Sequence, residues 1–342
     1  MKAMILESFN QPLQLRDVAI PTVSDNEVLV KVKVCSICGT DLKIMSGKID
    51  TVPLPLIPGH EPAGEIVEVG KNVDSFKPGD RVTVDLYITC GKCKNCLAGR
   101  YTVCLESIKR VGFEINGGFA EYLLLPAARA VKIPDTMSYQ EAALIPDAIS
   151  TSVHAFVDRH PVTPGDNVLI LGVGGLGIHG LQVAKALGGV VIAADVDNRK
   201  LALAKELGAD YVYNTREVDL VAACKAITGG YGADIVGEYV GAPKVSELGL
   251  KCVRMGGTMV MLGYAPGTVF EVPSMEIAMG ERTITGSRAM TKQSTMEAIR
   301  LVTEGKVKPQ VDRYFPLEEA NEALEGLKGE GYLGRGLLTI DL

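Results

Sequence analysis

The sequence predicts a mixed protein of two domains, one β-rich and one built on a doubly wound parallel sheet with helices on both faces. Three observations carry this. The chain has 342 residues, too many for one small core. Residues 1–148 alternate polar and apolar side chains in short runs, while residues 149–287 alternate apolar strands with helical spacing. A glycine-rich stretch, Gly172-Val173-Gly174-Gly175-Leu176-Gly177, stands between an apolar strand and a helical pattern, as a dinucleotide-binding turn requires.

In the first domain, Glu27-Val28-Leu29-Val30-Lys31-Val32-Lys33-Val34 reads as a strand with one buried face. Pro78-Gly79 and Pro164-Gly165 each supply the fixed φ and the positive φ of a type II turn. The second of these opens the α/β region. There Val168–Leu171, Val190–Ala194, Ala233–Val236 and Thr258–Leu262 read as strands. Leu176–Leu187, Arg199–Leu207 and Val245–Val253 read as helices between them. Such short apolar strands spaced by helices imply a parallel sheet covered on both faces. The tail, 288–342, reads as helices at Gln293–Glu304 and Leu317–Leu327 and a strand at Arg335–Ile340. It is too short to bury a core alone and is expected to return to the first domain.

Composition narrows the function classes. Hydrophobic residues make up 47% and charged residues 22%, ordinary for a globular chain. A formal net charge of -6 offers no basic footprint for nucleic acid or an anionic membrane. No signal peptide or membrane span is read, so the eight cysteines are expected to be reduced thiols and metal ligands in a cytoplasmic protein.

Two groups of residues suggest metal. Cys90, Cys93, Cys96 and Cys104 are spaced C-x2-C-x2-C-x7-C, which suits a closed tetrahedral zinc site. An iron–sulfur cluster uses similar spacings, and a disulfide lobe is the plainer alternative. Zinc is favoured because the rest of the chain offers no electron-transfer partner. The second group is Cys38 and Gly59-His60-Glu61: thiolate, imidazole and carboxylate are the ligand types of a catalytic zinc. The glycines flanking His60 and Glu61, including Gly64 and Gly70, read as turns that carry the site into a cleft between the domains. In the glycine-rich stretch, the first glycine makes the turn, the second admits a pyrophosphate and the third packs helix on strand. Asp195 ends the next strand, where a carboxylate accepts ribose hydroxyls and repels the extra phosphate of NADP, so NAD is expected.

Gly59-His60-Glu61, Gly64, Gly70 and Val73 match the pattern GHE-x2-G-x5-G-x2-V, and the four-cysteine lobe and dinucleotide loop follow in order. On these motifs the chain resembles the zinc-containing medium-chain alcohol dehydrogenases over essentially its full length. The resemblance implies a GroES-like catalytic domain at 1–148 and 288–342, with a zinc lobe at 90–104, and a Rossmann domain at 149–287. It implies two zinc ions per chain, one structural and one catalytic. The catalytic zinc would be held by Cys38, His60 and Asp147, with Glu61 an acid able to approach it. Thr40 corresponds to the hydroxyl that passes on the alcohol proton, and Asp41 to an acid that orients the histidine. Lys43 departs from the family, where histidine often ends the proton relay. Gly172, Gly174, Gly175, Leu176, Gly177, Asp195, Lys200 and Arg335 correspond to cofactor contacts. The implied activity is hydride transfer between NAD and an alcohol, with the reverse reduction of a ketone or aldehyde. Asp147 and Lys43 incline the substrate toward a secondary alcohol, a polyol or a cyclic hydroxy compound. A homodimer or homotetramer is expected, with neither nucleic acid nor membrane as partner. The rival readings are a quinone or enoyl reductase on the same scaffold and a non-catalytic nucleotide-binding regulator.

Overall fold

The computed structural model describes residues 1–329 and 331–341. It divides into two units: Met1–Asp147, Met290–Ile299 and Val311–Leu342 form the first, Ala148–Ala289 and Arg300–Gln310 the second.

The first unit is built on a seven-stranded sheet. Its order is Val311–Pro316, Arg335–Thr339, Glu27–Ile37, Glu61–Val69, Arg81–Val84 and Ala130–Lys132, with Tyr122–Pro126 also paired to Glu27–Ile37. Val28, Val30, Val32 and Val34 are buried while Lys31 and Lys33 are half-buried, the two-residue period of a pleated strand. Against one end of the sheet, Met4, Ile37, Ile44, Phe119, Phe315 and Leu338 join one apolar cluster. The antiparallel registers bring three chain segments together. Ser36 lies opposite Glu61 on one side and opposite Leu337 on the other, and Gly336 lies opposite Ile37. Gly64 is not a turn but part of the strand Glu61–Val69. A Cβ there would sit 2.2 Å from the Lys31 carbonyl oxygen, so the residue is small because two strands approach closely.

The second unit carries six parallel strands in the spatial order Tyr211–Asn214, Val190–Asp195, Asn167–Leu171, Ala233–Glu238, Val253–Met261, Thr283–Gly286. Numbered along the chain this is 3-2-1-4-5-6, the Rossmann order, whose direction reverses beside Asn167–Leu171. Val168–Leu171 and Val191–Ala194 are buried throughout, because helices cover both faces of such a sheet.

Several elements differ from the sequence reading. The strand Tyr211–Asn214 and helix Leu220–Ile227 were not expected; the first is short and half polar, so its period is weak. The helix Pro243–Cys252 ends one residue earlier than read, and the strand Val253–Met261 begins at once, through an irregular register beside Ala233. Residues 300–310, read with the first domain, belong to the second unit. Gln182 holds them there: its Oε1 accepts from the Lys308 amide at 2.8 Å and its Nε2 donates to the Lys308 carbonyl at 3.0 Å. A helical run from Tyr139 to Arg159 also went unread. It starts with a capping box between Ser138 and Glu141 and widens to π turns at Ile145–Ile149 and His154–Arg159. Pro146 has no N–H to continue the α ladder, which favours the widening at the first of these. Among the described residues no helix is long and apolar enough to cross a membrane.

Candidate metal centres and nucleotide loop

Cys38 follows the end of the strand Glu27–Ile37, and His60 and Glu61 stand at the start of its antiparallel neighbour. Pairing therefore places them side by side. Gly59 reaches His60 at φ +92°, and a Cβ on it would meet the Phe119 ring at 2.4 Å, so only glycine makes this bend. Asp147 arrives from the widened turn Ile145–Ile149. Ligand atoms of Cys38, His60, Glu61 and Asp147 all lie within 4.8 Å of one another. Cys38 Sγ is 3.6 Å from Asp147 Oδ2, and His60 Nε2 is 3.7 Å from Glu61 Oε1. Those separations are near the edge of a tetrahedron with one thiolate and N or O ligands about 2.0–2.3 Å from a zinc.

Asp41 sits in the first turn of the helix Gly39–Met45, wholly buried. Its Oδ2 accepts the Cys38 backbone N–H at 2.8 Å, and its Oδ1 lies 3.1 Å from His60 Nδ1. One carboxylate thus orients the thiol's backbone and the imidazole, turning Nε2 toward the cluster. The His60 ring also packs on Phe113, centroids 5.2 Å apart. Thr40 and Lys43 are both half-buried and lie three residues apart on one face of the same helix.

Arg335 was read only as a cofactor residue, yet its guanidinium belongs to this cluster. It is 4% exposed, with Nη2 2.9 Å from Glu61 Oε1 and 3.0 Å from Asp147 Oδ2. The contact to Glu61 is an ion pair without hydrogen-bond alignment, and both Glu61 oxygens are buried without accepting a hydrogen bond. No local signal points to this placement. It follows from the register that sets Gly336 against Ile37 and so brings Arg335 beside Cys38.

The charges interact strongly. Burial pushes the Cys38 thiol up, but Arg335 and His60 together reverse this and hold it below its ordinary value, favouring the thiolate a metal needs. Burial opposes a charged His60, yet the Asp41 carboxylate lifts its pKa well above the usual range. Burial raises Glu61 well above the ordinary carboxylate value against the pull of Arg335. Burial lowers Lys43 despite the negative Cys38 and Asp147.

The four sulfurs of Cys90, Cys93, Cys96 and Cys104 also lie within 4.8 Å of one another. Cys90 is 3.4 Å from Cys104 and 3.8 Å from Cys96, and Cys93 is 3.9 Å from Cys104. Four thiolates about 2.3 Å from one zinc define edges of about 3.8 Å. A disulfide needs about 2.05 Å, and a polynuclear iron–sulfur cluster holds its thiolates farther apart. The geometry fits a single tetrahedral ion. Backbone amides, Cys90's foremost, hold the Cys104 thiol down to about 6.

In the second unit, Gly172 turns at φ +86° after the strand Asn167–Leu171. A Cβ on Gly177 would stand 1.9 Å from the Gly172 carbonyl oxygen, whereas one on Gly174 would meet nothing within 4 Å. The space over Gly174 is what a pyrophosphate's approach requires, at the N-terminus of the helix Gly177–Ala186. Asp195 Oδ2 accepts from the Val173 amide at 2.9 Å, and Oδ1 accepts from Val196 and Asp197 at 2.7 and 3.1 Å. The acid therefore braces the loop. Lys200 is half-buried in the helix Asn198–Glu206.

The comparisons agree with this geometry. Residues 24–135 match the family model "Alcohol dehydrogenase GroES-like domain", and residues 175–304 match "Zinc-binding dehydrogenase". An alcohol dehydrogenase of Geobacillus stearothermophilus is 40% identical over 343 aligned residues, covering 100% of both chains. An NAD-dependent alcohol dehydrogenase of Sulfolobus acidocaldarius is 36% identical, covering 99% of this chain and 100% of its own. The crystal structure of an alcohol dehydrogenase from Aeropyrum pernix superposes with a TM-score of 0.91 at 32% identity, covering 99% and 100% of the two chains. The chain belongs to the zinc-containing medium-chain alcohol dehydrogenase family, an oxidoreductase with a GroES-like domain and a Rossmann-like parallel sheet.

Proposed function

We propose that the protein is an NAD- and zinc-dependent alcohol dehydrogenase acting on a secondary alcohol, a polyol or a cyclic hydroxy compound, and on the matching carbonyl in reverse. The observation that carries this is the convergence of buried Cys38, His60 and Glu61 with half-buried Asp147 within 4.8 Å in a member of this family. Cys38, His60 and Asp147 would hold the catalytic zinc, and Cys90, Cys93, Cys96 and Cys104 the structural one. When bound, the zinc would supply Lewis acidity at an alcohol or carbonyl oxygen and NAD would supply the hydride-accepting chemistry.

The chain's own groups do the rest. Asp41 fixes the direction of His60 and the backbone at Cys38. Arg335 pairs with Glu61 and hydrogen-bonds Asp147, holding both carboxylates beside Cys38 and His60. Thr40 Oγ1 would take the substrate's hydroxyl proton, with Lys43 further out on the same helix face. A half-buried ammonium there suits a substrate carrying more than one oxygen, which is why polar alcohols are favoured. Leu176 and its neighbours would receive the NAD pyrophosphate, and Asp195 the adenosine ribose.

A panel of alcohols followed by NADH absorbance, with Cys38→Ser as control, tests this. Turnover in the wild type with NAD, lost in Cys38→Ser, is expected. Undiminished turnover in that variant, or after removal of the catalytic metal, would refute the assignment.

A further inference from the structure

The dinucleotide loop is held by a residue that no motif marks. His179 lies in the helix Gly177–Ala186 and is wholly buried. Its Nδ1 is 2.8 Å from the Gly175 carbonyl oxygen, and its Nε2 accepts the Gln310 backbone N–H at 2.9 Å. A carbonyl only accepts and an amide only donates, so the ring is a neutral imidazole with its proton on Nδ1. The helix's first turn is irregular for this reason. The His179 backbone N–H goes to Leu176, and the Gly175 carbonyl is left to the ring.

That bond sets a peptide plane. In a trans peptide the C=O and the following N–H point in opposite directions. With the Gly175 carbonyl drawn back to His179, the Leu176 N–H faces away from the ring. Among the described residues, the amides of Gly174, Gly175 and Leu176 donate to no protein group, and all three residues are half-buried. The helix start thus offers preset, unspent donors beside the open space over Gly174.

We propose that His179 is the positioning residue of the nucleotide loop: anchored at Gln310, it holds the Gly175–Leu176 peptide so that the Leu176 N–H is aimed at a bound pyrophosphate. The proposal rests on the reading of this loop as an NAD site. Preset donors act on affinity because binding then requires no reorganisation of the loop; hydride transfer at saturating NAD is untouched.

The experiment is NADH titration by fluorescence on the full-length enzyme, with kcat measured at saturating NAD. His179→Asn keeps a donor near the Nδ1 position and should bind NADH within about twofold of wild type. His179→Gln keeps an acceptor near the Nε2 position but loses the loop bond, and its NADH Kd should rise about tenfold with kcat unchanged. Gln182→Leu loosens the Lys308 anchor without touching Gly175 and should leave Kd unchanged. Equal effects in the Asn and Gln variants, or a loss in Gln182→Leu matching that in His179→Gln, would overturn the proposal. Hydrogen exchange on the wild type needs no variant: the peptide holding Leu176 should exchange fast alone and become protected by NADH, and lack of protection would also overturn it. If the wild type binds no NADH, the nucleotide-site reading itself fails. If it binds but the variants match it, only the role of His179 fails.

Discussion

Two glycines five and two residues into one loop should separate folding from binding. In Gly177→Ala the new Cβ would lie 1.9 Å from the Gly172 carbonyl oxygen, where ordinary contact begins at 3.4 Å. Strand end and helix start would have to part by about 1.5 Å, a backbone movement, so the cost falls toward the upper end of the 1–3 kcal/mol typical of overpacking. Alanine's better helix propensity returns at most about 1 kcal/mol. A net loss of about 2 kcal/mol lowers the melting temperature of a domain this size by about 4–8 °C. In Gly174→Ala the Cβ meets nothing within 4 Å, and the residue is not held at positive φ, so stability should stay within about 0.5 kcal/mol of wild type. The methyl would occupy the approach of the pyrophosphate, and NADH Kd should rise at least about tenfold, equivalent to about 1.4 kcal/mol. Thermal melts followed by circular dichroism, with NADH fluorescence titrations on the same samples, read both effects. Wild-type NADH affinity in Gly174→Ala would refute the placing of the cofactor, and a wild-type melt in Gly177→Ala would refute the packing argument.

Asp41→Asn replaces one accepting oxygen by a donor, so either the Cys38 N–H or the His60 ring loses its partner; zinc affinity by chelator competition should fall about 10–100-fold, and an unchanged value would remove Asp41 from the site. Cys104→Ser should reduce the zinc content by one ion per chain and lower the melting temperature, while the Cys38 site keeps its metal; loss of both ions would mean the sites are not independent. Asp195→Ser should shift preference from NAD toward NADP, read as the ratio of kcat/KM values, and an unchanged ratio would contradict the ribose contact. Arg335→Met removes the Glu61 ion pair, the Asp147 hydrogen bond and a charge that favours the Cys38 thiolate, so zinc affinity by chelator competition should fall about tenfold; an unchanged value would show that Arg335 does not support the ligands.

Local signals sufficed for the architecture. The continuous apolar runs at Val168–Leu171 and Val191–Ala194 are short and flanked by turn glycines, which favours strands buried on both faces, and the Gly172–Gly177 spacing states its own turn chemistry. The four cysteines at 90–104 are close enough in sequence for their convergence to be read from spacing, because a short loop brings its ends together at little entropic cost. Short half-polar elements such as Tyr211–Asn214, and the π turns around Pro146, lack a period strong enough to read, and Gly64 looks like a turn until its neighbouring strand is seen.

By itself, then, the sequence determined the fold class, and the four-cysteine lobe and the nucleotide loop were legible because each is encoded within a short stretch. Only the tertiary structure decided what meets across long separations. The pairing of Arg335–Thr339 with Glu27–Ile37 brings a guanidinium against Glu61 and Asp147, and the burial of His179 between Gly175 and Gln310 ties the loop to a segment 131 residues away. Strand register and buried hydrogen bonds set these contacts, and neither leaves a local pattern in the chain.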